Sequence, residues 1–315
     1  MYEIEKLHPI KKITQATVDI VDIPGLTKGA SHGEGVGNKF LGDIRNTDAL
    51  IHVLRCFDDK NLTHIEGSVD PVRDIETIDL ELQVKDLETI EKKMDRIEKL
   101  IKIGDRKAGA GMKTLTKVRE HLENFGNVRD MELDERDMEY ISDLFLLTIK
   151  PIMYVCNVDE ISAIEGNTHV ENVKTALSGK KTEILVIAGK LEAEIAEFDD
   201  ENDRKVFLED TGLDEPGVNK LVRSAYNLLN LQSFFTVGPK EIRAWTIKKG
   251  MNAQQAAGVV HSDMERGFIR AEVMKYKDFI ELGSENECRH KGKLYVEGKN
   301  YIVDDGDMLH IRFNV

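Results

Sequence analysis

Two kinds of hydrophobic pattern alternate along the chain, and each predicts a different element. Continuous apolar runs of strand length occur at Ala49–Phe57, Pro151–Cys156 and Glu183–Ala188. Such runs are typical of strands covered on both faces, as in a parallel α/β sheet. An earlier stretch, Ala16–Val21, alternates apolar residues with aspartate and predicts a further strand of that sheet. Helices are predicted at Phe40–Arg45, Met138–Leu147, Asn172–Ser178 and Gly217–Leu231.

From Asp74 the apolar residues recur every three or four positions, which indicates a long amphipathic helix. Gly104–Gly111 interrupts the period, and Leu115–Phe125 resumes it. We therefore predict an antiparallel helical hairpin of roughly 65 residues, inserted into one α/β domain. Its narrow apolar stripe fits two helices that pack on each other as a coiled coil. An arm that binds a partner is compatible with the same pattern.

After Gln232 the pattern changes to short strand-like segments around one helix, Asn252–Val260. The last of them, Met308–Val315, alternates apolar and polar residues cleanly. This pattern of short strand-like segments around one helix predicts a small mixed sheet that folds alone. The sequence thus predicts three parts: an α/β domain formed by residues 1–70 and 138–231, a coiled-coil helical insertion at 71–137, and a C-terminal domain at 232–315.

The composition, 41% hydrophobic and 32% charged over 315 residues, is that of a soluble globular protein. No apolar run reaches the about 18 residues of a membrane span, and the N-terminus lacks the apolar core of a secretory signal. The three cysteines, Cys56, Cys156 and Cys288, are widely spaced and show no zinc-site spacing. We therefore expect a protein of the reducing cytoplasm, with no membrane contact.

The net charge of −14 would repel nucleic acid, so any RNA contact needs a local basic patch, and no DNA partner is expected. Residues 232–315 hold 13 Lys and Arg against 12 Asp and Glu, so the remainder carries about −15. We therefore expect the C-terminal segment to be better suited than the rest to approach an anionic partner.

Candidate phosphate and metal ligands follow Ala16–Val21. Asp22 and Gly25 form an Asp-x-x-Gly motif that leads into a glycine-rich loop. Nucleoside triphosphatases use such a strand end to meet the metal and the γ-phosphate. Asp22 can reach Mg²⁺ through water, and the Gly25 N–H can meet a phosphate oxygen because no Cβ blocks it. A plain strand that ends in a Pro-Gly turn is the alternative.

Candidate base-binding residues follow the next strands. Asn157 and Glu160 come directly after Pro151–Cys156, at the edge of an α/β sheet where ligands bind. GTP-specific proteins carry Lys second and Asp last in this motif, whereas this chain has Val158 and Glu160. The glutamate is one methylene longer and should not reach the N1–H and N2–H₂ groups of guanine. The motif therefore favours adenine or tolerates both bases, unless it is only a polar loop.

The other candidate motifs match a nucleotide-binding site only in part. Ala188 and Gly189, followed by a lysine, end the next strand where the wall beside the base would lie. Leu26 stands where Ras-like enzymes carry the glutamine that positions water, so His64 is the candidate for that task, or a histidine without a role. Gly-x-x-x-x-Gly-Lys-[Ser/Thr] occurs nowhere in the chain, so the amide nest that cradles phosphates is missing.

The segment VDIPGLTKGASHGEGVGNKFLGDIRNTDALIHVLRCFDD resembles the YchF / Obg-like ATPase family of translation-factor-related P-loop proteins. The resemblance continues through Asn157–Glu160 and the helical insertion. It ends in Gln232–Val315, which resembles a TGS domain, a β-grasp (ubiquitin-like) module. The implied fold is α/β: a P-loop NTPase-like, mainly parallel sheet, N-terminally incomplete, with an inserted antiparallel helical hairpin and a C-terminal β-grasp domain.

The resemblance implies an ATP-hydrolysing switch that prefers ATP to GTP, needs Mg²⁺ and associates with ribosomes or ribosomal RNA. It also implies roles for individual residues. Adenine would be held by Asn157, Val158 and Glu160, beside Phe57, Ala188 and Gly189; Asp22 and Gly25 would face Mg²⁺ and the γ-phosphate; and His64 would replace the usual glutamine.

The chain departs from that family at its N-terminus, because family members begin further upstream with a strand and a P-loop. We expect either a fragment of a longer natural chain or a rearrangement that closes the gap, and full-strength binding of Mg²⁺-ATP would contradict this expectation. Two alternatives remain open. One is a catalytically impaired module that binds ribosomes or RNA, and the other is a structural interaction protein built on the coiled coil.

Overall fold

The architecture combines two separate sheets with a long helical hairpin. The computed structural model describes residues 2–7, 12–23, 42–104, 106–238 and 240–314. Nine strands are found in those ranges: β1 (Lys12–Thr14), β2 (Leu50–Arg55), β3 (Ile152–Asn157), β4 (Glu183–Ile187), β5 (Leu231–Val237), β6 (Glu241–Lys248), β7 (Phe268–Met274), β8 (Leu294–Glu297) and β9 (Met308–Phe313).

The helices connect and cover these strands. They are Tyr2–Leu7, Pro71–Lys102, Arg106–Glu123, Glu135–Ile141, Ser162–Glu165, Thr168–Ala176, Gly189–Ala196, Glu201–Thr211, Gly217–Leu228, Ala253–Val260, Ser262–Arg266, Tyr276–Leu282 and Glu285–His290, with residues 42–45 also helical. The predicted helix at Met138–Leu147 is displaced toward the N-terminus, because Phe145 has a left-handed φ of 48° that no helix continues through.

A parallel sheet forms from the three continuous apolar runs, in the order β2-β3-β4. The central strand β3 is buried from Ile152 to Cys156, as its unbroken apolar sequence predicts. The core beneath it includes Leu54 from β2, Tyr154 from β3 and Val173 from a covering helix. The predicted parallel α/β sheet is therefore confirmed, and its carboxyl ends bring three polar loops to one edge.

The prediction of a strand at Ala16–Val21 is wrong, because no strand lies between residues 15 and 23. The side chains of Ile20 and Val21 are 57% and 61% exposed, so the alternating pattern is not buried against a sheet. The strand in this region is β1, which pairs in parallel with β6 through Ile13 and Ile242. A period-2 pattern gives a strand only where a partner supplies the hydrogen bonds, and here the partner belongs to the C-terminal sheet.

The predicted helical hairpin is confirmed. Its first helix, Pro71–Lys102, begins at Asp70, whose carboxylate accepts from the Arg73 N–H at 3.1 Å, and Pro71 occupies the first turn. The second helix, Arg106–Glu123, runs back along the first. Aliphatic residues from both helices fill the seam, which holds Ile90, Ile97, Ala108, Leu115, Val118 and Leu122.

The turn of the hairpin is shorter than the glycines predict. The second helix already begins at Arg106, so Gly109 and Gly111 lie inside it. A Cβ atom on Gly111 would lie 3.0 Å from Tyr140 Cδ1 and 3.5 Å from Ile97 Cδ1. The missing side chain of Gly111 therefore allows close packing against Tyr140 and Ile97, and it does not serve a turn.

A buried polar cluster, which we call the base cluster, fixes the start of the hairpin. Asp86 accepts hydrogen bonds from the Leu147 N–H and the Thr148 N–H, both at 2.8 Å, and from the Thr148 hydroxyl at 2.7 Å. Burial raises the pKa of Asp86, although these three donors act in the opposite direction. The three bonds tie the hairpin to the segment that leads into β3.

A second set of bonds in the base cluster joins Asp79 and Gln83 to the chain that follows the hairpin. The Asn127 amide donates to Asp79 at 2.9 Å and accepts from the Gln83 amide at 2.9 Å. Arg129 donates to the other Asp79 oxygen at 2.7 Å. Each of these carboxylate and amide groups therefore has a partner inside the protein, as buried polar groups require.

The C-terminal sheet has six strands in the order β1-β6-β5-β9-β7-β8. Strand β6 buries Ile242, Ala244 and Ile247, so the alternation of its first half does not continue past Ala244. The mixed sheet predicted for this part is present, since β5 pairs in parallel with β9 while β7 pairs antiparallel with β9. The helices at Tyr276–Leu282 and Glu285–His290 were not predicted, because their apolar stripes are too short to show a period.

The chain divides into two compact units that differ from the predicted parts. One unit comprises Met1–Ile20 and Ala225–Val315, and the other comprises Val21–Ser224. Residues 1–20 were predicted to belong to the α/β domain, but they group with the C-terminal sheet because β1 pairs with β6. Among the described helices, none combines the length and apolarity needed to cross a bilayer.

Candidate functional site

The loops that follow β3 and β4 are joined by a hydrogen bond. Asn157 is the last residue of β3, and its Oδ1 atom accepts from the Gly189 N–H at 3.0 Å. A Cβ atom on Gly189 would itself lie 3.0 Å from that oxygen, so only glycine allows this approach without a shift. Ala188, just before it, is buried. The two motifs interpreted as base-binding therefore lie side by side.

A second contact joins the same loops through charged groups. Glu160 accepts from Lys190 Nζ at 2.8 Å, and both side chains are more than half exposed. Hydrogen bonding to Glu160 raises the pKa of Lys190. Between them, Val158 is buried and its N–H donates to the Ile187 carbonyl at 3.0 Å. The carboxylate of Glu160 is thus directed toward Lys190 by a side chain from the neighbouring loop.

Asp159 closes the turn after this motif. Its carboxylate accepts from the Ser162 N–H and the Ser162 hydroxyl, both at 2.9 Å. These bonds, led by the one from the backbone N–H, lower the pKa of Asp159. The chain direction between Asn157 and Glu160 is therefore set by an acid that is not itself a candidate ligand.

The loop after β2 is held by Arg55, which the sequence did not single out. Its guanidinium lies 5.0 Å from the centre of the Phe57 ring and donates to the carbonyls of Phe57, Asp59 and Leu62. The Cys56 N–H donates to the Asn157 carbonyl at 2.8 Å. Phe57 is half-buried and stands two residues beyond the end of β2, at the same carboxyl edge as Asn157.

His64 is held more firmly than a flexible loop histidine would be. Its Nδ1 atom accepts from the Glu66 N–H at 3.2 Å, so the proton resides on Nε2. That nitrogen faces the Asp74 carboxylate at 3.2 Å, and Arg73 donates to the other Asp74 oxygen at 3.2 Å. Both ring nitrogens are therefore occupied, and the ring must release one contact before it can orient a water molecule.

The predicted phosphate side is described only in part. Asp22 is exposed and lies outside any strand. Its carboxylate is the kind of oxygen ligand that Mg²⁺ takes, directly or through water. Gly25, Leu26 and the glycine-rich loop that follows lie outside the described residues.

Sequence reasoning missed two residues that position this region, Arg55 and Asp74. Each acts on a group that the sequence did single out: Arg55 on Phe57, and Asp74 on His64. The available signal was a basic residue at the end of an apolar strand and an acid in the first turn of a helix. Neither signal identifies its partner, because the contact depends on how the loop folds.

One other group of described residues has the geometry of a cation site. Glu272, Glu285 and His310 place their ligand atoms within 4.8 Å of one another in the C-terminal unit. The buried carboxylate of Glu272 is already paired with three guanidinium groups, so this cluster does not fit a metal ion. Those groups belong to Arg270, Arg289 and Arg312.

Comparison of the chain with known proteins identifies its relatives. A family model named YchF-GTPase_C, described as a protein of unknown function (DUF933), matches residues 231–314. The ribosome-binding ATPase YchF of Bacillus subtilis is 46% identical over 307 residues, which cover 97% of this chain and 84% of that protein. The ribosome-binding ATPase YchF of Haemophilus influenzae is 45% identical over 305 residues, with the same coverage of both chains.

A solved structure agrees with the sequence comparison. The Schizosaccharomyces pombe YchF GTPase superposes with a TM-score of 0.86 at 34% identity, covering 98% of this chain and 84% of that one. Similarity of this extent spans the parallel sheet, the hairpin and the C-terminal sheet. From the sequence identity, the coverage and the shared fold, we conclude that the chain belongs to the YchF family.

Proposed function

We propose that this chain binds ATP at the carboxyl edge of β2, β3 and β4 and works as a nucleotide-dependent switch. The observation that carries the proposal is the bond from the Gly189 N–H to Asn157, which brings the two base-side loops together before any ligand binds. A pocket formed in advance reduces the ordering cost of binding. Phe57, held under Arg55, supplies an apolar ring at the same edge.

Preference for adenine follows from where the Glu160 carboxylate lies. Guanine would need that carboxylate to accept from its N1–H and N2–H₂ groups, but Lys190 holds it at 2.8 Å on the opposite loop. Val158 stands where guanine-specific proteins carry a lysine, and it is buried. The relatives are named as an ATPase in one case and as a GTPase in the other, so base preference is the property that most needs measurement.

Hydrolysis would use His64 and Asp22. His64 would orient the attacking water in place of the usual glutamine, after its contact with Asp74 opens. Asp22 would hold Mg²⁺ through water, and when bound the metal would neutralise charge on the phosphates. Gly25 would meet a phosphate oxygen through its backbone N–H.

We further propose that the chain associates with ribosomes in the cytoplasm, since its bacterial relatives are named ribosome-binding ATPases. The C-terminal unit is proposed to be a TGS domain of the β-grasp class. Its mixed sheet, with a helix between β6 and β7, supports that assignment. Its nearly balanced charge suits it better than the acidic remainder to approach RNA.

Titration calorimetry with ATP and GTP tests the proposal, both with Mg²⁺ present. The proposal expects ATP to bind about tenfold more tightly than GTP, a difference of about 1.4 kcal/mol. A ratio is measured rather than one affinity, because the missing Gly-x-x-x-x-Gly-Lys-[Ser/Thr] motif removes phosphate contacts common to both nucleotides. Equal affinities, or tighter binding of GTP, would refute the base assignment.

A second candidate function is a catalytically impaired module that binds ribosomes or RNA. The absence of the P-loop motif from these 315 residues favours it. Phosphate release, measured with and without ribosomes, separates the two candidates. Release that follows the ATP concentration supports the switch, whereas ribosome binding without any release supports the impaired module.

A further inference from the structure

Asn167 makes two side-chain hydrogen bonds at the start of a helix beside the sheet edge. Its Oδ1 atom accepts from the Val170 N–H at 3.0 Å and so caps the helix Thr168–Ala176. Its Nδ2 atom donates to the Cys56 carbonyl at 2.7 Å, although the two residues are 111 positions apart in the chain. A cap needs only the acceptor, so the second bond is separate from the cap. Asn167 therefore joins this helix to the chain that follows β2.

The presence of asparagine at this cap is informative. Asp70, Asp134 and Asp200 cap three other helices, and an aspartate at such a position gains from the helix dipole. Asparagine and aspartate have the same shape and cap about equally well, but an ionised aspartate has no donor. Asparagine at position 167 gives up the attraction of the dipole for a negative charge and gains the bond to the Cys56 carbonyl. The cap alone does not require that exchange.

The Cys56 peptide lies between the two groups proposed to contact the base. Its N–H donates to the Asn157 carbonyl at 2.8 Å, and its carbonyl accepts from Asn167. Because the peptide bond is planar, the direction of the Cys56 carbonyl sets how the chain continues into Phe57. One bond from Asn167 therefore acts on the aromatic wall of the site and on the residue that supplies its amide.

The helix that carries Asn167 is a firm support. Val170 and Val173 are fully buried in the same core cluster as Cys56. Arg55 also holds the loop after β2, but it belongs to the same stretch of chain and can only shape the loop. Asn167 instead fixes the start of the loop to a separate element that is packed into the core.

We propose that Asn167 is a positioning residue for the base-binding edge. Through the Cys56 peptide it holds Phe57 and Asn157 in place, without contact to the nucleotide itself. This inference rests on the proposed nucleotide site and names a residue on which that site depends. Contact groups held by a second layer of bonds are ordered before the ligand arrives, which reduces the cost of binding.

Asn167→Asp separates the cap from the positioning. The aspartate keeps the acceptor for the Val170 N–H, but above pH 7 it sets a carboxylate oxygen against the Cys56 carbonyl, so the start of the loop must move. Asn252→Asp is the matched control, because Asn252 is also a half-buried asparagine cap and accepts from the Gln255 N–H at 2.9 Å. Asn167→Ser is a second variant, which keeps a cap oxygen but adds no charge.

Titration calorimetry with ATP and with adenosine, at pH 8, measures the effect on the site. Asn167→Asp should weaken both ligands about fivefold, the factor that corresponds to one hydrogen bond of ordinary strength. The control should bind both ligands like the wild type. A role in the cap alone would change thermal unfolding but leave the affinities of the folded protein unchanged. If Asn167→Asp is partly unfolded at the temperature of the titration, Asn167→Ser is judged by the same criteria.

Two outcomes of the titration would overturn the proposal. One is equal affinities for Asn167→Asp and the control. The other is a loss of affinity for ATP without a loss for adenosine, since adenosine carries the base and no phosphate, and such a result would assign the effect to the phosphate side.

Hydrogen exchange of the free protein separates this inference from the proposed function. The Cys56 amide donates to the Asn157 carbonyl, so its exchange reports whether the start of the loop is held. Mass spectrometry of peptides that contain Cys56 should show exchange at least about fivefold faster in Asn167→Asp than in the control. If the wild type binds neither ATP nor adenosine, the proposed function fails, and this exchange still decides the positioning. Unchanged exchange would refute it.

Discussion

The base cluster of the hairpin and the loops at the carboxyl edge of the parallel sheet are both rich in polar side chains, but they use them differently. In the base cluster, Asp86 is buried and accepts three hydrogen bonds from one short segment. At the sheet edge, Asn157 and Glu160 each make one contact across to the next loop and stay open to solvent.

This difference separates structural polar groups from candidate ligands. A buried carboxylate with its acceptor sites filled can only hold the fold, because releasing it would leave donors unsatisfied. A partly exposed amide with one contact, such as that of Asn157, can add a second partner without that cost. The location of a polar residue is therefore less informative than whether its hydrogen bonds are already complete.

The largest effect is expected from Asp86→Ala. The substitution leaves two backbone N–H groups and a hydroxyl without acceptors in a buried site, and it should lower the free energy of unfolding by about 3 kcal/mol. Urea denaturation measures it. Asp95→Ala, an exposed acid on the same helix, is the control and should change stability by less than about 0.5 kcal/mol. A small loss for Asp86→Ala would mean that the base cluster does not hold the hairpin.

The second effect concerns catalysis. His64→Ala should lower the rate of phosphate release about 100-fold with little change in ATP affinity, since a positioned histidine acts on the water rather than on the base. His169→Ala is the matched control, because His169 also faces an aspartate, Asp58, at 3.4 Å. A rate for His64→Ala equal to that of the control would exclude His64 as the water-orienting group.

A third effect concerns the bond between the base-side loops. Asn157→Ala should weaken ATP binding about tenfold, because both the amide and the contact with Gly189 are lost. Gly189→Ala should weaken it less, since Asn157 can move by a few tenths of an ångström. Gly179→Ala, in another loop, tests whether any glycine loss acts through stability alone. Calorimetry that found unchanged affinity for Asn157→Ala would contradict the base-side assignment.

The smallest effect is a difference in pH dependence between two aspartates. Asp159 has a lowered pKa, so its contribution to stability is complete above the ordinary aspartate value and is lost as pH falls through its folded-state value. Asp86 has a raised pKa, so its protonation favours folding as pH falls. The free energy of unfolding of wild type should therefore exceed that of Asp159→Ala by less at pH 3 than at pH 7. A difference in the free energy of unfolding that is larger at pH 3 than at pH 7 would contradict the lowered pKa of Asp159.

The sequence predicted the parallel sheet and the hairpin because their patterns are long and repeat often. Ala49–Phe57 and Pro151–Cys156 have the length and apolar content of buried strands, and the period from Leu80 to Ile101 is that of a helix. Ala16–Val21 was misjudged because six alternating residues do not determine a partner, and the neighbouring Lys12–Thr14 pairs with β6 instead. Pattern reveals which face of an element is buried, but pairing is decided by residues far along the chain.

In the candidate site too, some contacts could be predicted from the sequence and others could not. The proximity of Asn157 and Gly189 was predictable, because both residues lie at the carboxyl ends of neighbouring parallel strands. The contacts of Arg55 with Phe57 and of Asp74 with His64 were not, because each depends on the course of a loop. The assignments of Asp22, Gly25 and His64 to metal, phosphate and water stay predictions.

The most direct test of the adenine assignment is the ratio of ATP to GTP affinity in the wild type and in Glu160→Asp, with Glu165→Asp as a control of the same chemical change. We predict a wild-type ratio of about ten that falls severalfold in Glu160→Asp, because the shorter acid leaves Lys190 and can accept from guanine. The control should keep the wild-type ratio. A ratio near one in the wild type, or one that Glu160→Asp leaves unchanged, would contradict the account.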